Sequence, residues 1–99
     1  MVIERQMNGT ALTLFLRGRL DTTTAPQLEA ELKENMEDVR SLVLDMRELD
    51  YLSSAGLRVI LNAHKMMRGS LAVRHVNETI MEVFELTGFS EILTIEPES

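Results

Sequence analysis

The spacing of apolar residues changes period repeatedly along this chain, and that change limits the fold more than any single motif. Leu12, Leu14 and Leu16 alternate within Thr10–Arg17 and so share one face of a strand. Ala25, Leu28, Leu32 and Met36 then recur at the spacing of an amphipathic helix. Thr24 is the expected N-cap of that helix, with Pro26 in its first turn and an end near Met36. Val39–Met46 carries the continuous run Leu42-Val43-Leu44, the pattern of a strand buried on both faces, and Asp45 is expected to close it. A second helix places Leu57, Ile60, Leu61 and His64 on one stripe and stops at Gly69, with Lys65 and Arg68 in its last turn.

The remainder repeats the alternation. Leu71–Val76 reads as a strand, Asn77 as the cap of a third helix that ends at Gly88, and Leu93-Thr94-Ile95 as a brief final strand before a frayed Pro97-Glu98-Ser99. Ahead of the first alternating strand, Met7-Asn8-Gly9 is a turn signal, which makes Met1–Gln6 the outer strand of a hairpin. The order β-β-α-β-α-β-α-(β) points to one α/β domain over residues 1–99: a sandwich with a mixed four- to five-stranded sheet.

Charge and composition narrow the function. A formal charge of −6 disfavours nucleic acid, whose binders replace phosphate counterions with Lys and Arg, and also disfavours anionic lipid. No apolar run is long enough to span a bilayer, and Met1–Gln6 lacks the basic start and apolar run of a signal peptide. A cytoplasmic protein without direct membrane insertion is the expectation. With no cysteine there is no disulfide framework or Cys-based zinc site. His64 and His75 fall on different elements and read as structural rather than as ligands, with His64 a partly buried, hydrogen-bonded core residue. No cofactor is implied.

One junction remains. In Leu49-Asp50-Tyr51-Leu52-Ser53-Ser54-Ala55-Gly56-Leu57-Arg58, a polar turn leads into the second helix through two adjacent serines. A hydroxyl at a helix start can cap the helix, bind an anion or receive one. Capping needs one hydroxyl, and two are present. Ala55 and Gly56 are small, and Gly56 lowers helix propensity by about 1 kcal/mol, as expected where a partner approaches the backbone closely. Asp21, Asp45 and Asp50 are candidates for the surrounding strand and loop ends, where α/β sheets gather functional groups, and the equal alternative for Asp45 is a carboxylate that only bonds nearby loop N–H groups. No Gly-x-Ser-x-Gly elbow or glycine-rich phosphate cradle accompanies the serines, so a hydrolase is disfavoured.

The stretch Leu49–Leu61 resembles the signature of the STAS domain family, and within it the bacterial anti-sigma factor antagonists. Gly18-Arg19-Leu20-Asp21 with Thr24-Ala25, the strand Leu42–Asp45, and Phe84-Glu85-Leu86-Thr87-Gly88-Phe89 fit in the same order, so the likeness covers the chain. It implies a STAS-like sandwich with helices mainly on one face of the sheet, and a binding switch rather than an enzyme. An anti-sigma factor that is also a serine kinase would be the partner. It would phosphorylate Ser54, with Ser53 the second candidate, and a serine phosphatase would reset the switch. Asp21, Thr24, Asp45, Asp50, Ser53, Ser54, Ala55, Gly56 and Arg58 are the contact residues so implied. Many such antagonists carry Asp directly before the phosphorylated serine, and here that position is Ser53. An unphosphorylated STAS adaptor in a lipid or anion transport assembly is the alternative.

Overall fold

The computed structural model describes residues 1–34 and 36–96. Strands β1 (Val2–Asn8) and β2 (Ala11–Leu20) form the hairpin around Gly9-Thr10. Helix α1 (Ala25–Glu34), strand β3 (Ser41–Leu52), helix α2 (Ser54–Met67), strand β4 (Leu71–Arg74), helix α3 (Glu78–Thr87) and strand β5 (Thr94–Ile95) follow, with a 3-10 turn at Phe89–Glu91. The sheet order is β1-β2-β3-β4-β5, antiparallel in the hairpin and parallel from β2 onward.

This sequential order decides where the helices lie. Each parallel connection steps one strand in the same direction, and crossovers of this kind are right-handed. Three such steps put α1, α2 and α3 on one face. The core lies there: Leu12, Leu14 and Leu16 of β2, Leu42, Leu44 and Met46 of β3, and Leu71 and Val73 of β4 meet Leu28, Ile60 and Phe84 of the helices. The opposite face has no helix among the described residues. There Thr13, Val43 and Ala72 form one cross-strand row of half-buried side chains, so β3 is fully covered on one face rather than two.

Strand β3 is also longer than its apolar run. It continues seven residues past Asp45 to Leu52, through the stretch expected to be a turn. The register against β2 slips twice, between Phe15 and Arg17 and between Gly18 and Arg19, with the extra residues on β3. Each extra residue reverses which face the next side chains occupy. The first shift thereby turns Leu49 into the core although it falls between the positions of the Leu42, Leu44 and Met46 series, and the second brings the strand back into that phase at Leu52.

The helix ends mostly follow their expected chemistry. Asn77 caps α3, its side-chain oxygen accepting from the Ile80 N–H at 2.9 Å while its amide donates to the Leu49 carbonyl. Gly88 ends α3 in the left-handed conformation. Helix α2 ends at Met67 with Arg68 as its C-cap and Gly69 at C′ as expected, and Arg68 shares the left-handed conformation, φ 50°. Helix α1 is described to Glu34; Asn35 lies outside the described residues, and Met36 is no longer helical. Strand β4 stops at Arg74, and β5 omits Leu93. The expected tail at Pro97–Ser99 also lies outside the described residues.

Candidate functional site

Strands β2 and β3 finish side by side, with Leu20 opposite Leu52. The Ser53 N–H donates to the Leu20 carbonyl at 2.9 Å, so the residues that start α1 and α2 emerge next to each other. Ser53 is the N-cap of α2: its backbone is extended and its hydroxyl accepts from the Gly56 N–H at 3.3 Å. Ser54 is the first residue of the helix. Its side chain is exposed and makes no hydrogen bond among the described residues. The duplicated serine therefore divides into a capping hydroxyl and a free one.

The start of α1 is built differently from the expectation. Asp21, not Thr24, is the capping side chain. Its Oδ1 accepts from the backbone N–H groups of Thr23 and Thr24 and from the Thr23 hydroxyl. The Thr24 hydroxyl accepts in return from the Asp21 N–H at 2.8 Å and donates to the Arg19 carbonyl. Asp21 and Thr24 form a reciprocal capping box, which satisfies donors at both ends of the turn. The Thr23 hydroxyl, with the Thr23 and Thr24 N–H groups, holds the Asp21 carboxyl below its ordinary value of 3.8. Arg19 reaches this turn too, 3.6 Å from the Asp21 carboxylate, with its guanidinium over the Tyr51 ring at 4.1 Å.

Between the two helix starts is a shallow cavity of about 260 Å³. Ser54, Ala55, Arg58 and Val59 line it from α2, and Thr22, Ala25, Pro26 and Glu29 from the α1 side. Thr22, Pro26 and Glu29 were not legible as site residues; their only signal is that parallel neighbours bring consecutive helix starts together. Arg58 is exposed and has no ion pair or side-chain hydrogen bond among the described residues. Asp50 is exposed on β3, two residues before the strand ends.

Two expected members sit elsewhere. Gly56 is buried and faces inward: a Cβ there would lie 2.7 Å from Leu20 Cγ and 2.8 Å from Leu52 Cδ1. The close approach that excludes a side chain is the helix against its own core, not a partner against the helix. Asp45 does not end its strand, and the seven residues from there to Leu52 cover about 20 Å. It lines a separate cavity with Phe15, Arg17, Arg47, Glu48 and His75. Its carboxylate is buried, accepting from the Arg47 N–H and bonding His75 Nδ1 at 2.8 Å. Arg47 can only donate, so His75 Nε2, 2.9 Å away, is the acceptor and the proton resides on Nδ1 toward Asp45. His75 holds this position with φ 54°, just past the end of β4 rather than within it. His64 is half-buried as expected, but its Nδ1 has no partner among the described residues.

Among the described residues there is no cluster of His, Asp and Glu able to hold a metal ion, and no helix long and apolar enough to cross a membrane.

Relatives were found for nearly the whole chain. BtrV of Bordetella bronchiseptica, provisionally named an anti-sigma factor antagonist, is 42% identical over 88 residues, which is 85% of this chain and 76% of BtrV. The anti-sigma-B factor antagonist of Bacillus subtilis is 26% identical, over 98% of this chain and 92% of its own length. The solved structure of the Bacillus cell fate determinant SpoIIAA in its phosphorylated form superposes with a TM-score of 0.73 at 16% identity, covering 98% of this chain and 93% of that one. At that identity the likeness concerns the fold. The family model described as the STAS domain matches residues 2–99. The chain belongs to the STAS domain family.

Proposed function

We propose that the protein is an anti-sigma factor antagonist that binds an anti-sigma factor with serine-kinase activity and is released from it by phosphorylation of Ser54. The observation that carries this reading is the division of labour at the α2 start: Ser53 performs the capping, and the Ser54 hydroxyl stands exposed and unbonded at the rim of the inter-helix cavity. The partner surface is formed by Ser54, Ala55 and Arg58 on α2 and by the adjoining turn of Asp21 and Thr24, with Asp50 at its edge. A serine phosphatase resets the protein. The relatives' names support the role, and SpoIIAA in a phosphorylated form supports the chemistry.

Electrostatics makes the block local. A phosphate on Ser54 adds about −1.5 to −2 charges. The positive end of α2 favours it by roughly 0.3–1 kcal/mol. Asp45 does not oppose it, being about 20 Å along β3 from the helix start. A partner packed over Ser54 would instead have to bury the dianion, and each 1.4 kcal/mol of that cost weakens binding about tenfold.

The experiment combines the cognate kinase, ATP and the protein, and locates the phosphate by mass spectrometry. The expected result is a single phosphate on Ser54, absent from Ser54→Ala. Ser54→Asp is expected to bind the kinase at least tenfold more weakly than Ser54→Ala. Equal binding of the two variants refutes the charge block. Modification confined to Ser53 refutes the assignment of roles, and absence of both kinase binding and phosphate favours an adaptor subunit.

A further inference from the structure

We propose that Arg58 is a built-in counter-ion for the phosphate on Ser54, so that modification also withdraws the cation this surface offers a partner. The inference rests on the reading that Ser54 is the modified residue. Ser54 and Arg58 are one helical turn apart on α2 and line the same cavity. An acidic group four residues before a basic one is the favourable orientation for an intrahelical pair. Arg58 is exposed and has no ion pair among the described residues, so nothing needs to be broken for it to turn toward Ser54.

The nearby cations differ in this respect. Arg19 is held between Asp21 and Tyr51, and Lys33 pairs with Glu29. Arg58 is therefore the cation available at the cavity without loss of an existing contact. The guanidinium fork matches phosphate oxygens in a bidentate way that an ammonium does not. Before phosphorylation the surface presents a neutral hydroxyl beside a free guanidinium. Afterwards it presents a paired phosphate with residual negative charge, and the guanidinium is occupied. A partner that uses an acidic group to hold Arg58 loses that contact as well as meeting the phosphate.

The test uses the free protein with phosphoserine placed at position 54 during translation, so it does not depend on any kinase. The phosphate is titrated by ³¹P NMR in the wild-type background and in Arg58→Gln and Arg58→Lys. The pair lowers the second ionisation of the phosphate, so Arg58→Gln is expected to raise its midpoint by about 0.3 pH units or more at low salt. Arg58→Lys is expected to restore part of that shift, and 1 M salt to shrink it. Circular dichroism of the three unphosphorylated proteins checks that the exposed substitutions leave the fold intact. Midpoints that agree within about 0.1 unit in all three backgrounds overturn the proposal. If the pairing is measured but the kinase does not modify Ser54, the proposed function falls while the pairing stands.

Discussion

Gly56 supplies the sharpest test of how the α2 start is held. The sequence admits two explanations for a glycine in the first turn of a helix: access for a partner, or access for the protein's own core. In the structure a methyl group at Gly56 would sit 2.7 Å from Leu20 Cγ, 2.8 Å from Leu52 Cδ1 and 3.1 Å from Leu20 Cδ2. Leu20 is fully buried, and its Cγ is a branch point, so it cannot move away by turning a terminal methyl. Forcing extra carbon into such a site costs about 1–3 kcal/mol. Replacing glycine with alanine in a helix returns about 1 kcal/mol. Gly56→Ala is therefore expected to be destabilising by about 1 kcal/mol net, within a range of about 0–2, lowering the melting temperature by roughly 4–8 °C per kcal/mol for a domain of this size.

Equilibrium urea unfolding measures this directly, with an unchanged m-value showing that the unfolded state is unaltered. A second substitution locates the cause. Leu20→Ala alone is expected to cost about 2–5 kcal/mol, and the double variant should be more stable than the sum by at least about 0.5 kcal/mol, because the new methyl enters the space Leu20 leaves. If Gly56→Ala is stabilising by the full helix-propensity gain, or if the two changes add without coupling, the inward packing argument is refuted.

The buried Asp45 carboxylate relies on His75, which sits in the left-handed region that asparagine also tolerates. His75→Asn keeps that backbone and shortens the side chain, and is expected to cost about 1–3 kcal/mol in urea unfolding; unchanged stability would show that Asp45 is satisfied without the imidazole. Asp21 is held below its ordinary pKa, so its contribution to stability is present above that value and is lost as pH falls from about 3.8 through its folded value. Asp21→Asn is expected to flatten the acid limb of the stability curve in that window, and an acid limb identical to wild type would remove Asp21 from the account.

The parts of the fold legible in the sequence are those where one period holds over a whole element. Leu12, Leu14 and Leu16 announce β2, and Asn77 and Gly88 bracket α3, because alternation and capping are local properties. β3 was legible only as far as its period lasts. Beyond Met46 the first extra residue puts Leu49 out of phase and the second restores the phase only at Leu52, so in the sequence the two look like isolated apolar residues in a polar turn. A strand ending at Asp45 would deliver its carboxylate to the helix start, whereas the continued strand leaves it about 20 Å away. The Asp45–His75 bond joins residues thirty positions apart and depends on a left-handed histidine, which no local pattern encodes. The serine junction was legible as a place, but the roles at α1 were not. In a run of three threonines after Asp21, only the geometry distinguishes the group that caps from the one that reciprocates.

The geometry of the α2 start limits what kind of switch the proposed site can be. A switch that works by rearranging the fold needs an element balanced between two packings. The start of α2 is the reverse. Its cap is filled by Ser53, its backbone is tied to Leu20, and Gly56 seats it against Leu20 and Leu52 without room for one more carbon. Only the next side chain, Ser54, points away from all three restraints into an open cavity. On the proposed reading, a charge placed there would meet the positive end of a helix and the unpaired Arg58, with Glu29 across the cavity opposing it, and none of the three lies in the core. The energy of such a modification would therefore have little route inward. If Ser54 is the modified residue, as proposed, the charge would stay on the surface, where a partner would have to accommodate the phosphate or leave, and the packing around Gly56 would hold the hydroxyl in one position for that partner to read.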